Sequence, residues 1–295
     1  MTETFGIDVS HHNGRIDWQK VKACGKSFTL MKCQYESKAH RKDETFDFNY
    51  TESGKQKMKR GVYIYLAAEA IKNPVGDAES LLKNLGGRTL ELGIWLDLED
   101  KVLKDKGFNY IKNVSKIYAN IFKKAGYFVG IYCNKDWYQH YIDKELKDSF
   151  KFWIARYPKD DYGLYNAGSA LRPRTENVMM WQYSSKGRVD GIQGNVDLNV
   201  LFYDINKNVD NIKQKNDKKS ANPFVLTKDF LKIGSTGESV KWLQYELNRH
   251  GASLKIDGIY GQKTKEALIK YQKENKLKID GIFGTETKKS LWSKL

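Results

Sequence analysis

The sequence predicts an α/β fold with an asymmetric order. Five βα units come first, then three strands joined only by loops, closing into an irregular TIM-like barrel, (β/α)5(β)3, followed by a small helical domain. Three observations predict it. Eight short apolar runs recur over the first 200 residues. Helical periods separate only the first six of them. A polar, Asn- and Lys-rich stretch, NKNVDNIKQKNDKKSAN, then divides these runs from an internal repeat.

The runs span residues 5–10, 28–34, 61–68, 93–99, 127–133, 152–157, 178–184 and 195–200. Their near-continuous hydrophobicity marks strands covered on both faces, as in a parallel sheet. Helical patterns fill 17–25, 46–60, 74–85, 110–125 and 136–146. Residues 158–177 carry Gly163, Gly168 and Pro173 without a helical period, and only a loop fits between the last two runs. The polar stretch cannot bury enough apolar area to fold alone and reads as a linker. The expected organisation is a large domain over 1–205, a linker over 206–226 and a small domain over 227–295. In that last segment IDGIYGQKTKEAL (256–268) and IDGIFGTETKKSL (279–291) share eight of thirteen positions at a spacing of 23. Each Asp-Gly is a turn signal ahead of a helical pattern, and Val240, Leu243 and Leu247 mark a further helix before them.

Composition narrows the classes. Of 295 residues 40% are hydrophobic and 29% charged, which excludes disorder, collagen and disulfide scaffolds. No apolar run reaches 18 residues, so no membrane-spanning helix is expected. The N-terminus has no basic, apolar leader, so a secretory signal is not expected. Cys24, Cys33 and Cys133 are odd in number and form no CxxC; they read as small buried hydrophobes. The net charge of +15 attracts polyanions, anionic wall polymers among them. No nucleic-acid-binding motif accompanies it, so nucleic acid is not the expected partner.

The chemical signal is GIWLDLED at 93–100. Asp97 and Glu99, at i and i+2 on a strand end, point to one face about 6.5 Å apart. Asp8, in the first run, and Asp197, in the eighth, occupy comparable places on strands that neighbour each other in a closed barrel. Crowded carboxylates raise one another's proton affinity, which gives the protonated acid beside ionised partners that glycosidic cleavage requires. Sugar rings pack on aromatic planes, and Tyr65, Trp153, Tyr157, Trp181 and Tyr183 lie at or near strand ends; Tyr65 and Trp181 are the preferred subsite positions. His11, His12, His40, His140 and His250 show no metal-ligand spacing, so neither metal nor cofactor is expected. His11 reads equally as a cleft residue or a solvated loop residue.

On these motifs, residues 5–200 resemble the family 25 glycoside hydrolases, the Chalaropsis-type lysozymes. DVSHHNG, WLDLE and WQYSSKGRVDGIQGNVDLN stand in the order of that family's opening, strand-four and closing signatures. The sequence departs from the family pattern at Lys32–Glu36 and at Tyr63–Tyr65. The resemblance implies hydrolysis of the β-1,4 bond between N-acetylmuramic acid and N-acetylglucosamine in peptidoglycan. Glu99 would be the general acid and Asp97 its partner, with Asp8 and Asp197 completing an acidic floor. Residues 229–295 resemble the type 1 peptidoglycan-binding domain, a three-helix module, which implies wall anchoring. Together these resemble a phage endolysin, made in the bacterial cytoplasm and acting at the wall after release. The alternative is a non-catalytic wall-binding protein on a degenerate hydrolase barrel.

Overall fold

The computed structural model describes residues 3–36, 40–67, 70–202, 222, 224, 226 and 228–293. The chain divides into two compact units, Met1–Lys218 and Lys219–Leu295. Most of the expected linker, 206–226, lies outside the described residues.

The first unit is a closed barrel whose eight strands are hydrogen-bonded in chain order, with β8 returning to β1. The strands are β1 (Thr4–Val9), β2 (Phe28–Lys32), β3 (Lys59–Tyr65), β4 (Gly93–Asp97), β5 (Val129–Asn134), β6 (Phe152–Ala155), β7 (Val178–Gly187) and β8 (Val196–Leu201). β1 to β7 pair in parallel, whereas β8 is antiparallel to both β7 and β1. The reason is the connection. Residues 188–195 are too few for a crossover, so the chain can only turn back as a hairpin.

Five of the connections are helical. They hold α1 (Trp18–Ala23), α2 (Phe46–Lys55), α3 (Pro74–Leu85), α4 (Lys101–Lys106) with α5 (Phe108–Lys124), and α6 (Lys135–His140) with α7 (Lys144–Ser149). Local chemistry sets their ends. Asp17 and Asn73 accept backbone N–H groups at the starts of α1 and α3, and Gly86 closes α3 in the left-handed region at φ 59°. Ile111, Val114, Tyr118 and Phe122 line the buried face of α5. Two expectations change. The helical pattern over 136–146 is broken into α6 and α7, because Asp143 accepts Leu146 N at 2.9 Å and restarts the helix. The pattern over 46–60 ends at Lys55, and its last residues belong to β3.

Alternate residues of each strand face opposite sides. The outward set packs under the helices as the larger core; the inward set, Phe28, Leu30, Trp95, Trp153, Met180 and Leu201, fills the barrel. Large rings fit there because glycines face them. A Cβ on Gly130 would lie 2.4 Å from the Trp95 ring, and one on Gly6 2.5 Å from Phe28.

The second unit holds α8 (Glu238–Arg249), α9 (Gln262–Glu274) and α10 (Thr285–Ser293) around Leu231, Val240, Leu243, Leu247, Tyr260, Leu268, Tyr271 and Phe283. Its repeat is wider than the turn sequences alone. On α8, Gln244 Nε2 donates to Asp257 Oδ1, Ile259 O and Thr264 Oγ1 at 2.9–3.1 Å. On α9, Gln272 Nε2 donates to Asp280 Oδ1, Ile282 O and Thr287 Oγ1 at 3.0–3.2 Å. Each buried amide staples the Asp-Gly turn that follows its helix.

The packing at Gly130 makes the first prediction. Gly130→Ala should lower barrel stability by about 1–3 kcal/mol, since the Trp95 ring has no room to retreat. Urea denaturation followed by tryptophan fluorescence measures it; an unchanged midpoint would show slack in the barrel interior.

Candidate active site

The carboxylates converge because β8 runs backwards. Asp8 lies near the C-terminal end of β1. Asp197 lies near the N-terminal end of β8, and antiparallel pairing sets the two directly opposite each other. Asp97 ends β4, with Glu99 two residues beyond. Asp8 and Asp97 are 7% and 6% exposed, while Glu99 opens to solvent in the mouth.

Charge at this rim is held by few donors. Asp8 Oδ1 accepts from Gln182 Nε2 at 2.8 Å and from Asn199 Nδ2 at 2.7 Å. Gln182 Oε1 accepts from the Tyr132 hydroxyl at 2.8 Å and also from that of Tyr157. Asn199 Oδ1 accepts from Trp153 Nε1 at 2.8 Å. Lys32 is ion-paired with Glu36 on the neighbouring edge of the mouth. Among the described residues, Asp97 Oδ1 is buried with no hydrogen-bond partner.

The proton affinities follow from this geometry. Burial, then the charge of Asp8, pushes Asp197 up to about 9, so it is a neutral acid near pH 7 and hydrogen-bonds to Asp8. Burial also raises Asp8, opposed by its bonds from Asn199, Gln182 and Asp197. Burial, followed by the charges of Glu99 and Asp8, lifts Asp97 well above the usual carboxylate range, and Lys32 opposes the lift. Glu99 is raised by the surrounding protein and then by Asp8. The rim can hold a proton on one carboxyl beside an ionised neighbour, the arrangement that general acid chemistry needs.

The expected aromatic positions divide. Tyr65 is half-buried at the end of β3, its hydroxyl hydrogen-bonded to Asp100, and Tyr157 stands 36% exposed beyond β6. Both reach the mouth. Trp153 does not: it is 1% exposed inside the barrel, under the carboxylates. Trp181 and Tyr183, at 2% and 4%, face outward into the helix-side core against Tyr165. The expectation that these three contact substrate is corrected. A residue adjacent to an inward-facing one on a strand must face outward, and on β7 the inward residue is Gln182. His11 is half-buried, its Nδ1 2.8 Å from Asp43 Oδ2 and its ring against Tyr35.

Residue-type reasoning missed Gln182, Asn199, Tyr132 and Lys32. Strand parity could have found two of them. Asn199 is Asp197 plus two, and Gln182 pairs with Asn199 across β7 and β8.

Comparison with known proteins finds relatives of both units. The family model for glycosyl hydrolases family 25 matches residues 7–192, and that for a putative peptidoglycan binding domain matches 236–291. The autolytic lysozyme of Clostridium acetobutylicum is 26% identical over 272 residues, covering 90% of this chain and 72% of that protein. Lysozyme M1 of Streptomyces globisporus is 28% identical over 206 residues, 66% of each chain. Among solved structures, the CTP1L endolysin aligns with a TM-score of 0.55 at 24% identity, over 72% of this chain and 70% of its own. The modular autolysin LytC from Streptococcus pneumoniae, in complex with a synthetic peptidoglycan ligand, aligns at 0.56 and 25% identity, over 68% of this chain and 47% of its own.

The Asp8–Asp197 pair predicts a pH dependence. Unfolded, Asp197 should titrate near its ordinary value of about 3.9; folded, it holds its proton to about 9. Its contribution to stability is therefore full below about pH 4 and is lost as pH rises toward 9. Asp197→Asn keeps a donor toward Asp8 and cannot ionise. The variant should gain on wild type by about 1.4 kcal/mol per pH unit as pH rises from 5 toward 9. Denaturation midpoints across that range check it; parallel curves would mean that Asp197 is ionised in the fold.

Proposed function

The chain belongs to glycosyl hydrolases family 25 and is a peptidoglycan hydrolase, and we propose that it is an N-acetylmuramidase in which Glu99 and Asp97 carry the chemistry. Its substrate is the β-1,4 bond between N-acetylmuramic acid and N-acetylglucosamine, and its place of action is the bacterial cell wall. Glu99 is the general acid. It stands at the mouth where a leaving oxygen can reach it, and both the surrounding protein and the charge of Asp8 favour its protonated form.

The observation that carries the role of Asp97 is its Oδ1, buried and without a partner. An unpaired carboxyl oxygen is costly in the free protein, and burial beside Glu99 and Asp8 already favours a proton on Asp97. The 2-acetamido N–H of the substrate is a donor of the right kind to satisfy it. Held that way, the acetamide turns its carbonyl oxygen toward the anomeric carbon. The carbonyl oxygen–carbon bond forms as the glycosidic bond breaks, and the leaving oxygen takes the proton of Glu99. Water then attacks the same carbon, the carbonyl oxygen–carbon bond breaks to restore the acetamide, and a proton of the water passes to Glu99, so the product keeps its anomeric configuration. Substrate-assisted cleavage of this kind is a known departure from the two-carboxylate scheme. Asp8, on the adjacent wall with its shared proton held by Asp197, supplies negative charge toward the cationic transition state. Tyr65 and Tyr157 are the aromatic faces left at the mouth for sugar packing.

The second unit is the wall anchor. It has its own core, no carboxylate cluster like that of the barrel mouth among its described residues, and a net charge of +6 over 224–295. A tethered binding module raises the local concentration of the catalytic unit at a polymeric substrate.

Two outcomes are expected. Glu99→Gln should lower turnover of purified walls by at least about 10²–10⁴-fold with an unchanged melting temperature, because an amide cannot protonate the leaving oxygen. Near-normal turbidity clearance by this variant would remove Glu99 from the role. Residues 219–295 alone should sediment with purified walls at low salt and partly release at high salt, as screened charge attraction requires. If the fragment stays in the supernatant at low salt, the anchoring role fails while the assignment of the barrel stands.

A further inference from the structure

The hydrogen bonds beneath Asp8 have a direction, and it starts from a group that can only donate. The Trp153 indole N–H has no acceptor capacity. It donates to Asn199 Oδ1, so the Asn199 amide must turn its NH2 the other way, toward Asp8 Oδ1. On the other side, the Tyr132 and Tyr157 hydroxyls donate to Gln182 Oε1, which turns the Gln182 NH2 toward the same oxygen. The chain is dry: Trp153 is 1% exposed, Gln182 2% and Asn199 fully buried. A flip of either amide would set a lone pair against Asp8 and strand a buried donor behind it, at the full desolvation cost of each group left unpaired.

We propose that Trp153 and the Tyr132–Tyr157 pair are positioning residues: by orienting the amides of Asn199 and Gln182, they fix Asp8 as the ionised member of the Asp8–Asp197 pair and so keep Glu99 in its acid form. The inference rests on the reading of Glu99 as general acid. It adds which residues set that acid: Trp153 and Tyr132, buried below the carboxylates, and Tyr157 at the edge of the mouth. Two N–H donors converge on one oxygen of Asp8, an arrangement that a carboxylate satisfies and a carboxylic acid protonated there does not. The shared proton must then sit on Asp197.

The other groups around Asp8 do not settle the matter differently. Asp197 faces it from β8, Asp97 and Glu99 come from the end of β4, Tyr63 from β3, and Tyr132 and Tyr157 act through Gln182 from β5 and beyond β6. The cation on the neighbouring strand, Lys32, is paired with Glu36. The negative charge on Asp8 is thus held by neutral dipoles, with no counter-ion among its hydrogen-bond partners. After burial, that charge raises the proton affinity of Glu99.

The test is the pH profile of kcat/KM on solubilised glycan strands. Trp153→Phe deletes the N–H and lets Asn199 rotate. Gln182→Met deletes the second donor with little change in shape and serves if the first variant folds poorly. Either change should let Asp8 take the shared proton, so that the negative charge of the pair passes from Asp8 to Asp197 and the charge of Asp8 no longer raises Glu99. The alkaline limb should move to lower pH by about one unit, so that activity falls on the order of tenfold at pH 8 and much less at pH 5. A loss equal at every pH, or an unmoved limb in a variant whose melting temperature matches wild type, would overturn the inference. The underlying reading fails separately. If Glu99→Gln stays active, the general acid lies elsewhere; if that variant is inactive and the limb does not move, only the positioning role is lost.

Discussion

Negative charge gathered at one rim of a closed barrel is the constraint that the rest of the catalytic unit answers to. Four carboxylates from three strands meet where water is scarce, and unpaired ionised groups there would be prohibitively costly. The fold answers in three ways. It reverses β8, so that Asp197 faces Asp8 and a proton can be shared between them. It places two neutral amides, Asn199 and Gln182, under Asp8. It sets the aliphatic and aromatic barrel filling, Trp95, Trp153 and Phe28, below those amides, where glycines on facing strands leave space for the rings. Each layer depends on the one beneath.

The barrel was largely legible because its strands are short, apolar and evenly punctuated. The i, i+2 placement of Asp97 and Glu99 needed only the period of a strand. What sequence periodicity left out was orientation. An apolar run buried on both faces carries no alternation to show which residues point inward. On β7 the run Val178–Ser184 is buried throughout, so Trp181 and Tyr183 looked as available as Gln182. The pairing of Gln182 with Asn199 decides it, and that pairing is visible only once β8 is known to be antiparallel. Helix breaks were missed for a similar reason. Asp143 sits in a segment whose apolar spacing continues past it, and its capping bond shows only in three dimensions.

The second unit gives the opposite lesson. Its turn sequences repeat at a spacing of 23, while Gln244 and Gln272 repeat at 28, so the two periods do not align in the sequence. In the structure they form one device used twice: an amide buried on a helix receives a turn N–H with its oxygen and donates to the turn aspartate, a turn carbonyl and a threonine. Each Asp-Gly turn is completed by an isolated antiparallel bridge, Thr236 with Ile259 and Leu231 with Phe283. A unit of about 70 residues with a modest core gains order from such staples, because every satisfied amide removes an alternative for the loop that carries it.

The carboxylate rim divides into groups whose hydrogen bonds are complete and groups whose bonds are not. Asp8, Gln182 and Asn199 are bonded within the protein, and the floor they form has little freedom to move. Asp97 Oδ1 is unsatisfied, and Glu99 faces the solvent. Binding free energy can act only where the free protein leaves an interaction unmade. On the proposed roles, a substrate that supplies a donor to Asp97 and an oxygen to Glu99 gains most at those two groups. A fixed floor keeps that gain from being dissipated in rearrangement, which is how a preorganised site favours the transition state over the bound ground state. On this reasoning the hydrogen-bonded layer under the carboxylates is as much a part of the catalytic design as the carboxylates themselves.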